Sequence, residues 1–289
     1  MPTKDTLSVR VFRYDPSVDA APRYEAHEVP RTPDMRVLDA LNHVYDQTGT
    51  PLGYRWYCGT KKCGECAISV NGHPVLTCWE APADGMICEP LANFPIVRDL
   101  VVDTAPAEAR IVALKLSLSR GQPRPFPEKL DPAAMDATNH LSKCIECHAC
   151  TAAVPARGLE AEGPALPGGV GPAGLVRFAR FALDPREEAD RGSTASQAKL
   201  DEIGTHGVLS TVCPQGIDIV RDAIVPVRER LFGGRQAVSH SSPSTVPFFM
   251  AATWSAFVRL ADDRKSALKA DGAIEAVDVP GIAEAYRVR

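Results

Sequence analysis

"CGTKKCGECAISVNGHPVLTC", residues 58–78, is the stretch whose reading decides the fold. Its cysteines, Cys58, Cys63, Cys66 and Cys78, follow C-x4-C-x2-C-x11-C, the plant-type spacing in which four thiolates hold a [2Fe–2S] cluster. Two irons need four soft, anionic sulfurs. A tight loop can wrap three of them, and a strand end can supply the fourth. Gly59 and Gly64 let backbone amides turn toward the sulfur atoms, where hydrogen bonds tune the potential. Zinc is the alternative tenant of four cysteines. The x4 gap, the glycines and the hairpin that follows favour iron–sulfur. That hairpin is signalled by Asn71-Gly72 between "AISV" and "PVLTC". Lys61 and Lys62 in the loop are read as solvated side chains.

Upstream, "LSVRVFR" (7–13) alternates Leu7, Val9 and Val11 with polar positions and predicts a half-buried strand. "RYEAHEV" (23–29) predicts a second strand, ended by Pro30. Residues 36–48 put Val37, Leu38, Leu41, Val44 and Tyr45 at helical spacing, with Gly49 as the C-terminal stop. Two strands, a helix, a cysteine loop and a hairpin predict a small sheet with a helix across it, over residues 1–104. Strand patterns then vanish. Helices are predicted over 174–191 and over 217–232, the latter interrupted by Pro226, with a Gly/Pro loop at 162–174. Residues 105–235 therefore read as an all-helical domain, and the fold class as α+β.

A second cysteine group lies in "KCIECHACTAAVPA" (143–156), where Cys144, Cys147 and Cys150 are spaced C-x2-C-x2-C. In the bacterial iron–sulfur run a Cys-Pro step follows, and its cysteine ligates a different cluster. Here Val154 precedes Pro155. The three cysteines supply three ligands of a [4Fe–4S] cluster, and Cys213 in "VCPQGIDI" is the obvious fourth. The alternative is that Cys213 is a buried thiol and the three bind zinc or a three-iron cluster. Cys88 has no spacing partner and reads as an ordinary buried thiol.

Composition agrees. The chain has 289 residues, 45% hydrophobic, with a net charge of −4. It therefore has room for two packed domains and carries no basic footprint for nucleic acid. No apolar run is long enough to span a bilayer. "MPTKDTLSVRVF" lacks the layout of a signal peptide. The expectation is a cytoplasmic protein with no membrane span of its own, able to sit at the cytoplasmic face of the membrane only through partners. Nine cysteines are many for such a compartment unless they do chemistry.

The order of these motifs resembles the iron–sulfur subunit family of succinate dehydrogenase and fumarate reductase. The stretches "VFRYDP", "VLDAL", "CGTKKCGECAISVNGHPVLTC", "PLANFPIVRDLVVD", "CIECHAC", "GPAGLVRFARFALDPREEADR" and "VCPQGIDI" carry the resemblance, over about residues 7–230. It implies an N-terminal β-grasp, plant-type ferredoxin-like domain and a C-terminal α-helical ferredoxin domain. It implies [2Fe–2S] at Cys58, Cys63, Cys66 and Cys78, and [4Fe–4S] at Cys144, Cys147, Cys150 and Cys213. It also implies a FAD-containing flavoprotein partner and, beyond it, an anchor or further electron-transfer subunit. The family's [3Fe–4S] cysteines would fall at Val154, Ile203 and Leu209, all aliphatic here. The expectation is that this cluster is absent and that these side chains pack as a small core. The family's aromatics after the Cys-Pro step are replaced by "PARGL", and a usual histidine by Gly204, with His206 nearby.

The resulting expectation is an electron-transfer subunit that performs no substrate catalysis itself. FAD would be held only by the partner. A diverged complex with another substrate and a soluble electron partner, a stand-alone ferredoxin-like carrier and a zinc-stapled module are the alternatives. Residues 236–289 read as an extension: a linker at 239–244, then an uncharged aromatic segment around Val246–Val258 predicted to pack as a helix. That segment could cover the face where the family's anchor docks.

Overall fold

The computed structural model describes residues 5–47, 49, 51–122, 124, 127–154 and 170–233. The expectations for the 236–289 extension, and those for Pro155 and the 162–169 part of the Gly/Pro loop, lie outside these residues. The strands are β1 (Thr6–Arg13), β2 (Arg23–Pro30), β3 (Ala67–Val70), β4 (His73–Leu76), β5 (Met86–Glu89), β6 (Ile96–Arg98) and β7 (Val101–Val102). The helices are α1 (Val37–Gln47), α2 (Ala105–Ala113), α3 (Pro132–Leu141), α4 (Ala149–Ala153), α5 (Gly171–Ala182), α6 (Gly192–Gln197) and α7 (Val225–Phe232). The described chain divides into two units. The first comprises 5–104 and 147–154, the second 105–146 and 170–233.

In the first unit the sheet order is β2-β1-β5-β3-β4. β1 and β2 pair antiparallel, with Val9 opposite His27 and Phe12 opposite Tyr24. Leu7, Val9 and Val11 are fully buried, as their alternation requires. Asn71 and Gly72 both adopt left-handed backbone, at φ 50° and 76°, which matches the twist of a two-residue hairpin. The Asn71 side chain also accepts from the Ile87 amide at 2.8 Å, tying the turn to β5.

β5 is the longest of the strands that the periodicity misses, β6 and β7 being the others. It runs parallel to β1 and antiparallel to β3, so it sits at the sheet's centre. Its residues are all buried. A central strand covered on both faces shows no alternation to read. Helix α1 lies across the sheet through Val37, Ala40, Leu41 and Val44. Each such Val or Leu side chain, fully buried, contributes about 1.5–3 kcal/mol before entropy is counted. The short β6–β7 hairpin is pinned by Asp99, which is 2% exposed. Its carboxylate accepts from Arg13 Nε (3.1 Å), Tyr14 N (2.9 Å) and Gly53 N (2.7 Å).

Among its described residues the second unit has no strand. α3 begins where Asp131 accepts from the Ala133 amide, with Pro132 in the first turn. α5 starts at Gly171, inside the stretch read as a loop, because Pro172 opens it. It ends at Ala182 rather than running on to Arg191. Pro185 cannot continue a helix, and Asp184 turns to accept from the Arg186 amide and guanidinium (2.8 Å). The last helical stretch is interrupted next to Pro226, which lies in the first turn of α7. A π turn over Val220–Ile224 takes up the change and α7 begins beside it. No helix among the described residues is long and apolar enough to cross a membrane.

Candidate cluster sites

The loop between Cys58 and Cys66 is shaped by three left-handed residues: Gly59 (φ 65°), Lys61 (60°) and Gly64 (80°). These reversals aim backbone amides inward. The Thr60 and Lys62 amides donate to Cys58 Sγ at 3.4 and 3.3 Å. The Lys61 amide donates to Cys78, at the end of the 73–78 stretch. The sulfurs meet in pairs, Cys58 with Cys63 and Cys66 with Cys78, and Cys58 also acts electrostatically on Cys78. All four sequence-predicted residues of this group are therefore together. Cys66 and Cys78 are buried, while Cys58 and Cys63 are half-buried. The Thr60 and Lys62 amides pull the Cys58 thiol down to about 6. Burial pushes Cys78 up to about 11, against the Lys61 amide.

Four soft donors with amides already aimed at two of them form a donor set that fits a cluster and its anionic sulfurs. Among the described residues, no three His, Cys, Asp or Glu side chains converge on a single-ion site. Lys61 is not simply solvated. It is half-buried, and its ammonium lies 5.1 Å from the centre of the Trp79 ring, which Arg36 also approaches at 5.7 Å. Lys62 is exposed, as read. Cys88 lies on β5, fully buried, its thiol pushed up to about 12 by burial and then by Glu89. It takes no part in the loop.

Cys144 and Cys213 both belong to the second unit and are close enough for one to raise the other's pKa. Burial is the larger cause of that rise, and the Glu146 amide opposes it. Glu146, itself left-handed at φ 56°, pairs with Arg177, whose charge also reaches Cys144. Cys147 and Cys150, both half-buried, fall in the segment counted with the first unit, Cys150 within α4. Of the aliphatic trio, Val154 and Leu209 are buried and Ile203 is half-buried. Beside Gly204 the space is already taken: a Cβ there would meet His206 Nε2 at 2.6 Å.

Sequence reading missed Asn93, which is 4% exposed and reaches the α4 carbonyls. It also missed Glu89, buried and bonded to Tyr24. A lone polar residue inside an apolar run was the only signal for either.

Residues 8–109 match the model of a 2Fe-2S iron-sulfur cluster binding domain. The chain is 35% identical over 224 residues to the fumarate reductase iron-sulfur subunit of Mycobacterium tuberculosis, covering 74% of this chain and 88% of that one. It is 36% identical over 221 residues to the protein of the same description from Escherichia coli O6:H1, covering 73% and 88%. It is 32% identical over 222 residues to a subunit of the CoM/CoB fumarate reductase of Methanothermobacter marburgensis, covering 77% of this chain and 44% of that one. A chain of the Mycobacterium smegmatis Sdh1 complex in the apo form shares the fold, with a TM-score of 0.68 at 23% identity over 80% of this chain and 97% of that one. With this level of identity over most of the length of the fumarate reductase iron-sulfur subunits, the chain belongs to the iron–sulfur subunit family of fumarate reductase and succinate dehydrogenase, the electron-transfer subunits of oxidoreductase complexes.

Proposed function

We propose that the chain relays single electrons between a FAD-bearing flavoprotein subunit and an external partner. It does so through [2Fe–2S] at Cys58, Cys63, Cys66 and Cys78 and [4Fe–4S] at Cys144, Cys147, Cys150 and Cys213. The observation that carries this is the amide-lined thiol loop, with its sulfurs grouped as Cys58·Cys63 and Cys66·Cys78. Each pair suits one iron. Iron–sulfur clusters supply one-electron steps to the two-electron chemistry of a flavin. The amides of Thr60, Lys61 and Lys62 offset negative charge on the sulfurs, which favours the reduced state. In this reading residues 1–104 are a β-grasp ferredoxin domain, 105–235 an α-helical ferredoxin domain and 236–289 an extension. No residue of this chain acts as an acid, base or nucleophile on the substrate.

The third cluster is absent in this reading. Val154, Ile203 and Leu209 offer only hydrocarbon where thiolates would be needed. The likeness to a subunit of a CoM/CoB fumarate reductase favours, as a second reading, a related complex whose electron partner differs from that of the other fumarate reductases. Low-temperature EPR with iron quantified on anaerobically purified protein tests the cluster content. About six irons per chain, with no [3Fe–4S] signal when oxidised, are expected. About nine irons with that signal overturn it. Co-purification of a larger flavin-bearing subunit tests the partner, and a carrier that purifies alone refutes it.

A further inference from the structure

Two consecutive residues of the first unit hold α4 at both of its ends. Asn93 is buried with left-handed backbone (φ 67°). Its amide nitrogen donates to the carbonyls of Thr151 (2.9 Å) and Val154 (2.9 Å), with Ala152 at 3.4 Å. These are carbonyls at a helix C-terminus, which lack partners within the helix. Phe94, 2% exposed, meets His148 edge-on with ring centres 5.3 Å apart. His148 opens α4 from a left-handed conformation (φ 58°) and lies between Cys147 and Cys150. A helix of only five residues does not hold itself together in water. Its shape and place are therefore set by what grips it. α4 also packs against β4, the strand that runs on into Cys78.

We propose that Asn93 is a positioning residue for electron transfer. By fixing α4, it sets where Cys147 and Cys150 stand relative to Cys66 and Cys78, all within the first unit. It thereby sets how far the Cys147 and Cys150 ligands of the second cluster stand from the ligands of the first, on which electron passage between the clusters depends. The inference rests on the [4Fe–4S] assignment made above. Electron transfer falls steeply with distance, so a loosened α4 slows it without touching a ligand.

The test uses the full chain carrying Asn93→Asp and, separately, Asn93→Gly. Aspartate keeps the shape but turns an acceptor toward buried carbonyls. Glycine keeps the left-handed backbone and removes the amide. Leaving buried carbonyls unbonded shifts the gripped state of α4 against the released one by about tenfold. In both variants the [2Fe–2S] signal should persist. The spin–spin broadening it shows when both clusters are reduced should weaken, and transfer from it to [4Fe–4S] should slow, more for aspartate than for glycine. Wild-type broadening and transfer in both variants overturns the proposal. So does loss of both clusters together in both variants, which assigns Asn93 to folding instead. Absence of a [4Fe–4S] signal from the wild-type chain is a different failure, that of the cluster assignment itself.

Discussion

Raising the pH should destabilise the first unit through a single buried carboxyl. Glu89, on the central strand β5, is 5% exposed and accepts from Tyr24 Oη at 2.5 Å. Burial pushes its pKa from the ordinary 4.5 up to about 7, against the Tyr24 bond and the Arg10 charge. In the unfolded chain it titrates at the ordinary value. Between these values the folded chain holds a proton that the unfolded chain has released. The stability this contributes is fully present below 4.5 and is lost as pH rises through about 7. At 1.36 kcal/mol per unit, the displacement amounts to about 3 kcal/mol, of which about 2.5 falls between pH 5 and 8. Glu89→Gln preserves shape and an acceptor for Tyr24 but cannot ionise. The assay is apparent Tm at fixed scan rate across pH 5–8, followed by visible absorbance, because cluster loss makes unfolding irreversible. Wild type and variant should lie closest at pH 5, and their separation should widen by about 10 °C by pH 8, the variant being the more stable. Tyr24→Phe removes a bond that favours the charged form, so the wild-type loss should move to higher pH. Parallel curves for wild type and Glu89→Gln would refute the reasoning.

Cys213→Ala should remove about four irons per chain and leave the [2Fe–2S] spectrum intact; loss of both clusters would contradict the ligand assignment. Asp99→Ala strips Arg13 Nε, Tyr14 N and Gly53 N of their shared acceptor, and should cost about 3 kcal/mol or more in urea unfolding of the first unit. Gly174→Ala places a Cβ 2.5 Å from Val170 Cβ and 3.2 Å from Ile111 Cγ1, where α2 approaches α5. It should cost about 1–3 kcal/mol by overpacking, read as faster amide exchange over 171–182 with the visible spectrum unchanged.

What the chain displays in its sequence depends on whether the signal is local. The Asn71-Gly72 hairpin, the β1 alternation and the cysteine spacings are each written within a few residues of one another, and each is legible. β5 is not, because a strand buried on both faces looks like any short apolar run. The overextension of α5 comes from the helix-favouring charges after Pro185, where the proline itself is the better guide. α3 carries its own start signal, Asp131-Pro132, which a search for apolar periodicity passes over. Lys61 and Asn93 mark the deeper limit. Whether a lysine stacks on Trp79, or an asparagine caps a helix 58 residues along the chain, is set by tertiary placement and leaves no periodic trace. The same holds for the membership of α4 in the first unit, which the linear order of motifs gives no reason to expect.

The chain leaves the first unit after residue 104 and returns to it at 147. Synthesis proceeds from the N-terminus, so the five-stranded sheet can be complete while the ribosome has yet to make the helix that covers β4. Throughout that interval Asn93 and Phe94 lack the partners they have in the finished protein. A gene fragment cut at residue 104 would make the interval permanent, leaving an apolar face and a donor amide open to neighbours. A fragment meant to keep Asn93 and Phe94 with their partners therefore has to include residues 147–154.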